Sequence, residues 1–264
     1  MSTTSLAYPH ASAPLPLSRL LNAYWTEARF EIWRTLRTPV FVIPTIALPV
    51  MLYLFFGIVL PGTSIAANPE LALRVLSGFA MFSVIGPGMF GLGIGFAIER
   101  QHGIVTLKRA LPMPPAAHLL AKMGSAMVLA LLVMAALMTL GVLFGGVHLS
   151  AAQVARFVAV GVLGTMPFCA LGLLIGALVS GSAAPAVVDL VYFPMIYLSG
   201  LFPFPLPKAL QIAAVFWPAF HLNQLSLAAL GLNTYIEAWI AAVVLAVITV
   251  VCVVLAARRL TRAG

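Results

Sequence analysis

The chain has 264 residues, of which 62% are hydrophobic and only 8% charged, with a mean hydropathy of +1.11. Soluble domains carry about a quarter charged residues because their surface must face water, so this composition excludes a soluble fold and indicates an all-α integral membrane protein. The net charge of +8 does not signal nucleic-acid binding: the cations stand at the ends of apolar runs, where they meet anionic lipid head groups.

In chain order, residues 1–17 combine hydroxyl side chains with Pro9, Pro14 and Pro16, and lack both an apolar run and early cations. They read as a disordered cytoplasmic tail and not as a secretory signal, leaving 18–264 as one membrane unit. Ser18 is a candidate N-cap for a helix reaching about Arg37 and stopped at Pro39. Leu21, Trp25, Ala28, Ile32 and Leu36 form an apolar stripe on it, with Arg29, Arg34 and Arg37 off the stripe. Such a helix lies flat in the membrane interface, or else simply extends the first span.

Six stretches approach the ~20 apolar residues that a spanning helix needs: Val40–Leu60, Leu76–Ile98, Leu119–Phe144, Phe157–Val179, Ala186–Leu206 and Ala238–Ala257. With the N-terminus inside, every one of the 14 lysines and arginines except Arg74, Arg156 and Lys208 falls on the cytoplasmic side. Both chain ends are cationic, so the number of spans is even and both termini are cytoplasmic. Pro44 and Pro49 bend the first span. The second contains GPGMFGLGIG (86–95), which lets backbones approach closely. Gly86, Gly88 and Gly91 also match G-x-G-x-x-G, but no strand precedes them and no acid follows at the right distance, so no dinucleotide site is implied. Gly172 and Gly176 give the fourth span a second small-residue face. Cys169 and Cys252 lie within apolar runs and read as small buried side chains.

Between spans two and three stands the densest island of charge, ERQHGIVTLKRALPMPP (99–115). Gly103 permits a change of chain direction. Ile104, Leu107 and Leu111 follow at helical spacing with Lys108 and Arg109 beside them, and Pro112, Pro114 and Pro115 end the helix. The result is a short amphipathic helix across the membrane face, suited to a groove on a partner, or a solvated positive loop.

Asp189 is the one acid inside a predicted span, the fifth. It is either a pathway residue or a carboxylate close enough to the interface to reach water. Residues 203–236 are too long and too apolar for a plain external loop. They predict two short helices, Leu210–Phe216 and Leu222–Leu230, broken at Trp217–Pro218 and dipping into the outer leaflet, with His221, Asn223 and Gln224 at the outer mouth. No second ligand accompanies His221, so no metal site is predicted, and no catalytic constellation is present.

The stretch ERQHGIVTLKRALPMP resembles the segment between spans two and three of ABC-2 type transporter permeases. The interfacial helix, six spans with both ends inside and a partly re-entrant region before span six fit the same family, from about Arg19 onward. Gln101 stands where family members commonly have an acid, and Ile104 where they have threonine, with Thr106 two residues later. The resemblance implies an exporter permease of a bacterial inner membrane, driven by a separate ATPase subunit that holds the ATP and Mg. It makes Glu99, Arg100, Gly103, Leu107, Lys108, Arg109 and Leu111 the coupling helix on which that ATPase docks, and it implies pairing with a second permease copy, as a homodimer or with a related chain. The residues agree in one respect: there is no G-x-x-x-x-G-K-[ST] and no Gly-Lys pair at all, so this chain binds no nucleotide by that route. The alternative is a secondary transporter or channel with Asp189 in its pathway, which would ordinarily carry more ionisable groups at mid-membrane depth.

Overall fold

The computed structural model describes residues 16–60, 68–109, 114–202 and 207–262; the remainder of the expected tail, 1–15, lies outside them. Every regular element among the described residues is helical.

Helix α1 runs Leu17–Leu36. It starts two residues earlier than expected, and its N-cap is Pro16 (φ −57°, ψ 142°), not Ser18. The ring fixes φ and directs the chain into the helix, so no side-chain cap is used. Arg37 and Thr38 separate α1 from α2, which Pro39 opens at its first position, so α1 is a helix of its own. Its two faces are unlike. Leu17, Leu21, Trp25, Phe30 and Trp33 are exposed, whereas Glu31 is buried and Glu27 half-buried, on the face that packs along α5.

Helix α2 (Pro39–Val59) and helix α3 (Pro69–Gln101) are both irregular. Pro44 and Pro49 interrupt α2, whose last part, Tyr53–Val59, is π-helical. Pro87 interrupts α3 just before a π-helical turn at Met89–Ile94. The start of α3 is capped by the Asn68 side chain, which accepts a hydrogen bond from Leu71 N at 3.2 Å. After the left-handed Gly103 (φ 74°) comes the short α4, Ile104–Arg109. Helices α5 (Pro115–Phe144) and α6 (Ala151–Leu178) are long, and Ser150 with Gln153 forms a capping box that starts α6 six residues before the expected span. Next come α7 (Ala184–Leu198), α8 (Lys208–Ala214), α9 (Pro218–Leu230) and α10 (Ala238–Arg262).

Five helices among the described residues, α2, α3, α5, α6 and α10, are long and apolar enough to cross a membrane. The fifth expected span is represented by α7, with 15 residues, about 22 Å of helix against a ~30 Å hydrocarbon core. It stops because Ser199 and Gly200 turn the chain, Gly200 at φ 66°, and the expected remainder at 203–206 is outside the described residues. Two short helices stand where two were expected, with other bounds: α8 ends at Ala214, α9 begins at Pro218, four residues before the expected Leu222, and Gly231 (φ 79°) ends it in the left-handed conformation.

Helix α3 is the centre of the packing. Leu76, Phe79, Met81, Val84, Ile85 and Met89 are all fully buried, against α5, α6 and α9. The two glycine-rich stretches read from the sequence meet each other. A Cβ on Gly172 would stand 2.6 Å from Gly88 O, one on Gly176 2.8 Å from Gly93 O, and one on Gly88 2.8 Å from Cys169 N. Backbone therefore lies on backbone, which gives dispersion contact where lipid supplies no hydrophobic drive. Gly172→Ala is expected to force α3 and α6 apart and cost about 1–3 kcal/mol, read as a lower thermal midpoint in mild detergent. Gly124→Ala, where an added Cβ meets nothing within 4 Å, leaves the midpoint unchanged.

Candidate functional site

Charge in so apolar a chain has to be placed with care, because an unpaired ion in a low-dielectric interior costs several kcal/mol. Three of the six acids, Glu27, Glu31 and Glu99, converge at the end of the helix assembly where α1, the last turn of α3, α4 and the first turns of α5 meet. Three cations, Arg34, Lys108 and Lys122, face them. Glu99 lies at the centre, 3% exposed. Its Oε1 accepts from Arg34 Nη2 at 2.6 Å and Lys122 Nζ at 2.9 Å, and its Oε2 stands 3.1 Å from His118 Nε2. Glu31 accepts from Lys122 Nζ at 3.0 Å and Arg34 Nη1 at 3.2 Å. Lys108 on α4 is paired with Glu27, and its Nζ is 2.8 Å from His118 Nδ1, which is itself 3.0 Å from Glu27 Oε1.

His118 faces a carboxylate through each ring nitrogen, Glu99 at Nε2 and Glu27 at Nδ1, with the Lys108 ammonium beside Nδ1. Arg34, Lys108 and Lys122 set three cations against the three carboxylates. Burial pushes the Glu27 carboxyl up, but Lys108 and His118 beside it outweigh that and hold it below the ordinary carboxylate range. Burial likewise disfavours the Arg34 guanidinium, and Glu99, Glu31 and Glu27 more than restore its charge. The elements are also held in register: Glu27 with His118, and Glu31 with Lys122, are two facing pairs each spaced by four residues, so α1 and α5 rise together by about 6 Å between them.

The residues expected on a coupling helix divide between two roles. Glu99 belongs to α3 and points inward, so it cannot itself touch a docked protein. Arg100, half-buried, donates through Nη2 to Val179 O at 2.5 Å, capping the carbonyl end of α6. Gly103 makes the turn. Leu107 is 67% exposed and Ile104 37%, while Val105 packs inward against the cluster around Leu92 and Phe96. Arg109 closes α4, and Leu111 lies outside the described residues. Glu27, Glu31, His118 and Lys122 were not singled out from the sequence as members of a site. The two facing pairs spaced by four were the available signal, but nothing local says that positions 91 residues apart face each other.

The expected pathway residues are dispersed. Asp189 is half-buried on α7, five residues from the helix start and so about 8 Å along it, with no ion pair among the described residues. His221, Asn223 and Gln224 are buried and do not stand open at an outer mouth. His221 Nε2 is 2.9 Å from Val215 O, Asn223 Nδ2 donates to Gly200 O at 3.0 Å, and Gln224 Oε1 accepts from Tyr235 N at 2.8 Å. They tie α9 to the chain on either side of it. Among the described residues no group of three histidine, cysteine or acidic side chains is placed to hold a metal ion.

A cavity of about 600 Å³ adjoins the charge cluster, between α2, α3 and α5 and reaching Tyr192 of α7. Glu31, Arg34 and Lys122 belong to both.

The expected cost of disrupting the cluster is large. Glu99→Gln leaves Arg34, Lys122 and His118 around an uncharged group and is expected to destabilise by about 3–5 kcal/mol, read as a thermal midpoint lowered by several degrees. Adding Lys122→Met to Glu99→Gln restores charge balance and is expected to recover more than half of the loss; a purely additive loss would contradict the network.

A family model described as ABC-2 type transporter matches residues 22–231. A Bacillus subtilis (strain 168) protein named "Putative transport permease YvfS" is 26% identical over 206 residues, which covers 77% of this chain and 84% of that protein.

Proposed function

We propose, on the premise that the chain belongs to the ABC-2 type transporter family and is a multi-pass membrane permease of an ABC transporter, that it is the transmembrane subunit of an exporter, driven by a separate ATPase docked on α4. In this reading the protein lies in a bacterial inner membrane with six spans, α7 and the residues after it serving as the fifth, and with both termini cytoplasmic. The charge cluster then marks the cytoplasmic end, in keeping with the bias of lysine and arginine. Two permeases pair with two ATPases, and ATP with Mg is held by the partner.

The observation that carries the reading is the attachment of α4. A helix of six residues has no stability of its own. It is fixed by Val105 packing and by Lys108, whose ammonium reaches Glu27 of α1 and His118 of α5 at once. Its outer face is left to Leu107 and Ile104. A partner that holds those two side chains and moves therefore moves α1, α5 and, through Glu99, α3 together. ATP-driven closure of the ATPases would shift the permease between two arrangements by that route.

The test is to tag the C-terminus, extract in mild detergent and identify what co-purifies, with vanadate-sensitive ATP hydrolysis as the activity. A stoichiometric ATPase is expected. Leu107→Asp is expected to abolish its retention, and Gly103→Pro, which cannot adopt φ 74°, to abolish permease-stimulated hydrolysis, with membrane insertion intact in both. A partner-free chain from an extraction that preserves a known complex in parallel would overturn the reading. Asp189→Asn is expected to leave transport unchanged; its loss with normal assembly would favour a secondary transporter.

A further inference from the structure

We infer that the cavity between α2, α3 and α5 binds an amphiphile with one apolar tail and a head bearing hydrogen-bond donors, an ammonium or hydroxyl group. As the place where cargo is taken up this rests on the function proposed above; as a binding site it stands on the cavity alone.

The walls are apolar, with Phe41, Leu48, Phe82, Phe90 and Leu129 among them, and about 600 Å³ is within the range of pockets for drug-sized molecules. The side toward α2 is open: Val40 is 86% and Leu48 52% exposed, so a ligand comes laterally from the bilayer. Besides the charged groups, six hydroxyls line the cavity, those of Thr35 and Tyr192 among them, and the other four share one state. Thr38, Thr45, Ser83 and Ser125 all line it, and each donates its hydroxyl proton to a carbonyl of its own helix: Arg34 O at 2.8 Å, Phe41 O at 2.6 Å, Ala80 O at 2.6 Å and Lys122 O at 2.9 Å. A hydroxyl has one proton, so what all four present to an occupant is lone pairs. They are spread from the charged end, where Thr38 and Ser125 sit, along α2 to Thr45 and along α3 to Ser83. At the charged end the cations Arg34 and Lys122 are held by Glu31 and Glu99, so the cluster offers no uncompensated positive charge. An ammonium or hydroxyl head therefore finds four acceptors along the wall that would otherwise face an occupant unpaired.

Three photoreactive probes with the same diazirine-bearing dodecyl chain separate the terms: dodecylammonium, dodecyltrimethylammonium with the same charge but no donor, and dodecyl sulfate. They are added to the purified full-length permease in uncharged phosphatidylcholine nanodiscs, and labelled peptides are mapped by mass spectrometry. Dodecylammonium is expected to label the walls around Phe41 and Phe90 about fivefold more than the trimethylated probe, the factor that one net hydrogen bond supplies, with dodecyl sulfate no higher than at lipid-facing Val250. The double variant Thr45→Val, Ser83→Ala keeps shape and removes two of the four acceptors; it should lower the ratio between the two cationic probes with an unchanged thermal midpoint. Equal labelling by all three probes, preference for the sulfate, or a preference undiminished in the double variant, which would reflect head size, overturns the inference. So does disulfide pairing of Leu48→Cys copies that blocks labelling, since a second chain would then fill the opening. No ATPase is needed for the measurement, so a failure of the exporter reading leaves this result legible.

Discussion

Glu99 constrains the rest of this structure. A carboxylate that is 3% exposed within an assembly of apolar helices is tolerable only if its charge is matched and both its oxygens are bonded. The matching groups come from three other segments: Arg34 of α1, and His118 and Lys122 of α5, while Lys108 of α4 is added through His118. None of these elements can shift alone without leaving an ion unpaired. The four segments are thereby bound into one unit at the charged end, although the outer face of α1 is exposed and apolar and α4 is too short to persist by itself. Away from this end the packing relies on a different force, the close backbone contact of α3 with α6 at Gly88, Gly172 and Gly176.

Much of the architecture is legible in the sequence because membrane helices advertise themselves by composition. The two short helices α8 and α9 were legible as well, since Pro218 and Gly231 punctuate an apolar stretch too long for a loop. The glycines of α3 and α6 were readable as packing faces, though not that they face one another. The shortness of α7 escaped the hydropathy pattern, because apolar residues continue past Leu198 while Ser199 and the left-handed Gly200 have already turned the chain. The cluster escaped because hydropathy treats each charge as a local cost, whereas its resolution is tertiary. Glu31 and Lys122 are 91 residues apart, and only the fold makes them neighbours. The same limit explains why His221, Asn223 and Gln224 read as an open polar mouth: their partners are backbone groups at positions 200, 215 and 235, invisible to side-chain patterning.

The unequal regularity of the helices bears on movement. The walls of the cavity contributed by α2 and α3 contain Pro44, Pro49 and Pro87, and each of these helices has a π-helical stretch. Each proline removes a backbone donor, and each π turn widens the hydrogen-bond ring, so these walls have fewer bonds resisting a bend. Helix α5, on the opposite side, has proline only at its first turn and runs 30 residues without interruption. The cavity therefore lies between one stiff wall and two compliant ones, and the residues that close its charged end, Glu31, Arg34 and Lys122, are the ones that lock α1 to α5. A displacement of α4 transmitted through Lys108 would reach those residues before any other part of the cavity, since His118 and Lys122 are one turn apart on the same stiff helix. Under the exporter reading, the charge cluster thus joins two functions that the sequence lists separately: it holds the docking helix in place and forms the end of the compartment whose shape the docked ATPase must change.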